Sequence, residues 1–280
     1  MENTHNRHYP AEIFGYPINK QSEIITKIRN AYQCPFMRNE KCTKLSRLLE
    51  YPFGVCSTWW PGNNPLVICP RRLLQKNTIF ANVANYIFGN TNNVLLFSEV
   101  KLKNIGTFDY VLVKHKPISS EIEDFCIVEF QSCSTTSTGK LVDAMKDFMN
   151  GENIMGKHYT YGMNTYNDIK LSFVQMLNKG QVLELWNKKI VWVIQKYLYD
   201  NMVNRFHLQN LELNKKDANL FFIFDIDYSN SDEYEIYLYS MSSSTIGNLM
   251  MAFRNSELPK IDDFIKMLHK KLKLNLGVEI

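Results

Sequence analysis

Hydrophobic positions change their texture near residue 78. Beyond it, short apolar runs rich in β-branched and aromatic residues recur at residues 94–97, 108–113 and 125–130. Runs of this length bounded by turn residues predict strands, and the three are read as successive strands of one sheet. Residues 89–93 and 117–120 supply the turns. A helical segment around residues 79–87 leads into the first strand, and residues 140–149 predict a helix after the third. A longer helix is expected over residues 169–186, interrupted by Gly180, with Leu171, Val174, Leu177, Val182 and Leu185 on its buried face. A strand at 190–194 follows the Asn187-Lys188-Lys189 turn. Residues 220–226 and 234–239 predict a strand pair joined through 228–232, and residues 261–274 a basic terminal helix.

Before residue 78 the chain is rich in loops. It holds seven of the nine prolines, five of them between Pro35 and Pro70, together with Trp59, Trp60 and four of the six cysteines. Ser22 followed by Glu23-Ile24-Ile25 predicts a short capped helix, because a serine side chain can accept a backbone N–H of the first turn. Residues 44–50 predict another. The contrast divides the chain into residues 1–76 and residues 77–280. The fold class expected is α/β (α+β), with a mixed central sheet flanked by helices and a small N-terminal unit before it.

Composition narrows the picture. With 280 residues, 45% of them hydrophobic, the chain can bury a sizeable core, and global disorder is excluded. No run approaches the roughly 18 apolar residues of a membrane-spanning helix, and residues 1–10 lack a leader's apolar core. A soluble cytoplasmic protein with no membrane partner is expected. A net charge of +4 permits a polyanionic partner without requiring one. Without a leader, six cysteines read as thiols or metal ligands rather than as a disulfide framework.

Cys34, Cys42, Cys56 and Cys69 are separated by 7, 13 and 12 residues. Four soft thiolates beside turns suit a tetrahedral metal such as zinc or iron, and a loop-rich segment gains folding free energy from one. Scattered buried thiols remain the alternative, since the spacing is not that of paired CxxC knuckles. Cys126 and Cys133 read as ordinary core thiols.

The second constellation lies on the strands. Asp109 opens an apolar strand, and Glu129 and Gln131 sit inside another, where charges rarely lie without a task. Strand alternation puts Glu129 and Gln131 on one face, with Val128 and Phe130 on the other. If the strands are neighbours, Asp109 meets Glu129 and the two carboxylates make an oxygen-lined Mg²⁺ site. Such a site can hydrolyse a phosphodiester with a metal-activated water, which Gln131 would position. Glu99, ten residues before Asp109, would add a third acid. The competing reading is a strand edge with solvated charges.

Taken together, Phe14-Gly15-Tyr16-Pro17, Cys34-Pro35-Phe36, Cys42-Thr43-Lys44, Gly54-Val55-Cys56-Ser57, Ile68-Cys69-Pro70, Phe108-Asp109-Tyr110-Val111 and Val128-Glu129-Phe130-Gln131 resemble the NotI family of type II restriction endonucleases. The resemblance covers roughly residues 12–140. It implies a PD-(D/E)XK core, with glutamine where that pattern has lysine, preceded by a domain whose four cysteines hold a structural iron, with zinc as the alternative. It also implies Asp109, Glu129, Gln131 and Glu99 as the catalytic set, and a homodimer cutting a palindromic site in double-stranded DNA. A cognate DNA methyltransferase is expected in the same system. The chain is shorter than the founding member, so sequence specificity does not carry over.

Other features are read both ways. The Ser/Thr run at 132–138 is either a DNA-contacting loop or a polar lead into a helix capped near Thr138. Among the basic pairs, Arg71-Arg72 is the one expected at phosphates, the others being solvated faces. His115 and His158 receive no role. Two competing functions remain: a DNA-binding module without catalysis, and a structure-specific repair nuclease of the same fold.

Overall fold

A computed structural model of the chain describes residues 7–38, 40–206, 208, 211–229, 232–254, 260–274 and 276. The chain opens with short strands β1 (Pro10–Ile13) and β2 (Tyr16–Pro17), helix α1 (Glu23–Asn30), and the ribbon β3 (Gln33–Cys34) and β4 (Glu40–Lys41). Strands β5 (Val55–Thr58) and β6 (Leu66–Val67) follow, and β2, β1, β5 and β6 form a four-stranded antiparallel sheet. Helix α1 starts as its sequence predicts, with Ser22 Oγ accepting from Ile25 N at 3.2 Å. Residues 44–50 form no helix. Lys44 is instead drawn inward, where its Nζ donates to the Ile68 carbonyl at 2.7 Å, while Leu45 and Leu48 stay exposed.

The segment Pro70–Asn77 then leads into α2 (Thr78–Phe88) and the central sheet: β7 (Val94–Leu102), β8 (Gly106–His115), β9 (Ile122–Gln131), β12 (Lys189–Gln195), β13 (Asn219–Asp227) and β14 (Glu235–Ser244). Its order is β14-β13-β12-β9-β8-β7, parallel across β9-β12-β13 and antiparallel elsewhere. The parallel centre follows from composition. Strands β12 and β13 are nearly continuous apolar runs, and such runs belong between two covered faces. The strands expected at 94–97, 108–113 and 125–130 lie side by side as β7, β8 and β9, and those expected at 190–194, 220–226 and 234–239 are β12, β13 and β14. The predicted link at 228–232 includes Asn230 and Ser231, which lie outside the described residues.

Between β9 and β12 run β10 (Thr135–Thr136), α3 (Thr138–Met149), β11 (Gly162–Met163) and α4 (Thr165–Gln175), which continues through a π-turn (Met176–Gly180) into α5 (Gln181–Leu185). Helices α6 (Lys196–Phe206), α7 (Ile246–Arg254) and α8 (Ile261–Lys273) complete the order. Of the five residues predicted for the buried face of the 169–186 helix, Leu177 and Val182 pack against the core, whereas Leu171, Val174 and Leu185 are exposed. Its inner face carries Ile169, Phe173, Met176 and Leu183 together with polar Asp168, Ser172 and Lys179. Apolar periodicity places the buried face only in part, because polar groups occupy some of it.

Residues on both sides of position 77 share one buried apolar cluster. Polar bonds join them too: Cys133 N donates to Val67 O at 3.0 Å, and Val67 N to Gln195 Oε1 at 2.8 Å. Arg72 does not face DNA, as its place beside Cys69 predicts. It is fully buried, with Nε donating to both Glu12 carboxylate oxygens at 3.0 and 2.9 Å, Nη1 to Gln75 and Nη2 to the Tyr234 carbonyl. No helix among the described residues is long and apolar enough to cross a membrane.

Candidate active site

Strands β8 and β9 are neighbours, and their ladder changes character where the acids stand. Regular pairing runs from Lys114↔Asp124 to Tyr110↔Val128. At the next position, side chains replace the ladder: Asp109 N donates to Glu129 Oε1 at 3.3 Å, and Phe130 N to Asp109 Oδ2 at 2.9 Å. Each carboxylate holds the other's strand, so both are fixed by the backbone rather than free to swing. On the other side of β8, the pairs Ser98↔Tyr110 and Val100↔Phe108 bracket Glu99 opposite Asp109. Glu99 takes φ +55° inside this strand. A left-handed glutamate costs of the order of 1–3 kcal/mol, and such strain concentrates at functional sites.

The electrostatics fit two acids held together. Burial and the charge of Asp109 push the Glu129 carboxyl up to about 7, against the opposing pull of Lys179. Glu129 is almost fully buried, and its Oε2 accepts from Lys179 Nζ at 2.6 Å. Tyr110 beside them is pushed up by burial and by Asp109, with Arg71 opposing and Glu99 adding to the rise. An oxygen-rich pair under mutual repulsion is a donor set that suits a hard divalent cation such as Mg²⁺.

Gln131 lies one step along the same face of β9, and its amide is tied at both ends. Ser172 Oγ donates to its Oε1 at 2.5 Å, and its Nε2 donates to Gln175 Oε1 at 3.0 Å. Further along, Asp168 accepts from Ser134 N at 2.8 Å and from Ser134 Oγ at 2.5 Å. Sequence reading missed Asp168, Ser172, Gln175 and Lys179. Their steps of four, three and four residues were the available signal, a polar stripe along one helix face.

All four N-terminal cysteines line one cavity of about 240 Å³, with Phe14, Lys44 and Arg71 also in its wall. Their thiols are free. Burial pushes Cys34 and Cys56 up, and neighbouring thiols push them further. Burial pushes the Lys44 ammonium down while Cys69, Cys56 and Cys42 raise it. Among the described residues no three His, Cys, Asp or Glu side chains are drawn together tightly enough to hold an ion as they stand. The cavity nevertheless brings together the four soft donors that a tetrahedral thiophilic metal takes. Its backbone is tightly built: a Cβ on Gly54, at φ +66°, would lie 2.6 Å from the Phe14 ring. Cys126 and Cys133 are buried apart from this cavity.

The remaining predicted features are local. His115 caps an exposed turn through the Lys116 and Ser119 carbonyls, and His158 meets His8, Nε2 to Nδ1, at 3.2 Å. Lys188 pairs with Asp124, and Lys189 donates to the carbonyls of Lys215, Lys216 and Asp217.

A mixed central sheet flanked by helices is consistent with a nuclease fold. The family comparison specifies which kind: the model described as "Restriction endonuclease NotI" matches residues 13–237. The chain belongs to the NotI restriction endonuclease family and is a type II restriction endonuclease, a site-specific deoxyribonuclease acting on double-stranded DNA. No match to it is found among curated proteins.

Proposed function

We infer that this endonuclease hydrolyses duplex DNA with Mg²⁺ held by Asp109 and Glu129, with Glu99 as an additional acid. The observation that carries the reading is the pair of bonds from Asp109 N to the Glu129 carboxylate and from Phe130 N to the Asp109 carboxylate, which fixes two carboxylates on adjacent strands. Bound there, Mg²⁺ supplies Lewis acidity that favours deprotonation of a water and offsets charge on the departing oxygen. Gln131, immobilised by Ser172 and Gln175, orients that water. In the hydrolysis the water oxygen bonds to phosphorus, one ester P–O bond breaks, and the departing oxygen gains a proton.

The same reading takes residues 1–76 as a unit organised by one iron, with zinc as the alternative, on Cys34, Cys42, Cys56 and Cys69, docked on the nuclease unit of residues 77–280. The support is their common cavity. The working form is a cytoplasmic homodimer. Two-fold symmetry matches a palindrome and offers one site to each strand. A cognate methyltransferase accompanies it to shield the host's own sites.

Digestion of an unmethylated plasmid tests this. Discrete fragments in Mg²⁺ and none in EDTA are expected, with Asp109→Asn and Glu129→Gln slowed by roughly 10²-fold or more. Full-rate cutting by Asp109→Asn would remove the acid pair from the mechanism. A smear in place of fragments would favour a structure-specific nuclease.

A further inference from the structure

The active-site strand carries no cation of its own: position 131 is a neutral glutamine, bonded at both ends of its amide. A hydroxide attacking a phosphodiester is two anions approaching each other, and a fixed positive charge beside the attacking oxygen stabilises their meeting. Lys179 is placed to provide it. Its Nζ donates to Glu129 Oε2 at 2.6 Å and to the Thr107 carbonyl at 2.8 Å, and lies 5.5 Å from the Phe108 ring centre. An ammonium has three N–H donors, and the third meets no protein acceptor among the described residues.

The helix that carries Lys179 is built around this placement. Asp168, Ser172, Gln175 and Lys179 point inward to Ser134, Gln131, Gln131 and Glu129 in turn, while Leu171, Val174 and Leu185 face outward. The core-facing side thus carries a polar row beside Ile169, Phe173, Met176 and Leu183, where an ordinary amphipathic helix is apolar throughout. The π-turn Met176–Gly180 holds Lys179 itself, and π-turns are rare distortions that recur at functional sites. A lone buried ion pair contributes little stability over a well-packed apolar pair, so stability alone does not account for a lysine here.

We propose that Lys179 is a catalytic residue of this endonuclease, supplying from the helix the positive charge that steadies the attacking oxygen, which Gln131 orients but cannot charge-stabilise. It acts by charge and moves no proton. The water's proton passes to solvent, one P–O bond forms and one ester P–O bond breaks. The proposal rests on the acid-pair reading above.

The test uses a plasmid that the wild-type protein cuts in Mg²⁺, with single-turnover rates, melting temperatures and Mn²⁺ affinity by calorimetry. Lys179→Met is expected to cut about 10²–10³-fold more slowly and to bind Mn²⁺ at least as tightly, since a competing cation has gone. Lys179→Met with Gln131→Lys is expected to regain tenfold or more, because charge returns from the strand. Gln131→Lys alone, which removes the group that orients the water while the Lys179 pair stays in place, is expected to cut more slowly than wild type. Cutting by Lys179→Met within threefold of wild type would overturn the proposal, as would no regain in the double variant. A tenfold acceleration by Gln131→Lys alone would also overturn it, by showing that the site lacked a cation. Asp109→Asn runs alongside: full activity there removes the acid pair, whereas its loss with Lys179→Met active removes only the lysine.

Discussion

At the scale of single residues, buried charge decides most outcomes. Arg72 and Glu12 are both fully buried, and Ser57 Oγ also donates to the Glu12 carboxylate at 2.6 Å. Arg72→Met leaves that carboxylate without its counter-charge. We expect a loss of about 3–5 kcal/mol in urea unfolding, and adding Glu12→Gln should recover part of it; an unchanged midpoint would contradict the network. The acids Asp109 and Glu129 were legible in sequence because a carboxylate within an apolar strand is conspicuous. Arg72 was misread because a basic pair is ordinarily exposed, and no local pattern announces a partner at Glu12, sixty positions earlier. Lys179 was invisible for a related reason. A lysine on a helix ordinarily faces water, and only the fold brings it to Glu129.

At the scale of elements, the helix with the π-turn is the sensitive part. Gly180 has an ordinary φ of −61°, yet a Cβ there would lie 2.2 Å from Asn219 Oδ1 and 2.9 Å from Ile246 Cδ1. Asn219 Oδ1 already accepts from Trp192 Nε1 at 3.1 Å. Gly180→Ala must therefore push aside the tightly bonded Asn219 side chain and that of Ile246, straining the helix they pack against, at a cost of about 1–3 kcal/mol. Because Lys179 moves with it, cleavage should fall as well, and a stable variant cutting at the wild-type rate would argue against this coupling. A second element-scale prediction concerns the joint where His8 bridges to His158. Burial first, and His158 second, push His8 below its ordinary value. Its stabilising contribution is present above the unfolded value near 6.5 and is lost as pH falls through the folded value. The stability gap between wild type and His8→Asn should therefore narrow between pH 7.5 and 5.5 in thermal melts. The strands were legible because their apolar runs are short and bounded. Helices α6 and α7 follow strands directly, and the sequence pattern gave no separate sign of either.

At the scale of the whole molecule, the cysteine cavity and the nuclease sheet share a core, so loss of a metal should be felt throughout. Elemental analysis is expected to find about one iron or zinc per chain. Its removal by a chelator should lower the melting temperature by about 10 °C, the equivalent of a few kcal/mol at this size. Neither metal in the purified protein would refute the assignment of the four cysteines. The division at residue 76 reflects a real change in sequence texture. The bonds that cross it, such as Val67 to Gln195, join residues too distant in sequence for any local pattern to reveal. The Arg72 network reaches further still, to the Tyr234 carbonyl 162 positions later, and Gln75 accepts from Ile236 N. On a ribosome adding roughly 5–20 residues per second, Arg72 is made on the order of 10–30 s before its last acceptor exists. The Arg72 network cannot close until residues 234–236 exist, so nascent chains stalled before residue 230 should be digested by protease where chains extended through β14 resist it. A cutting enzyme whose Arg72 network waits for β14 reaches its working shape only after that strand has been made.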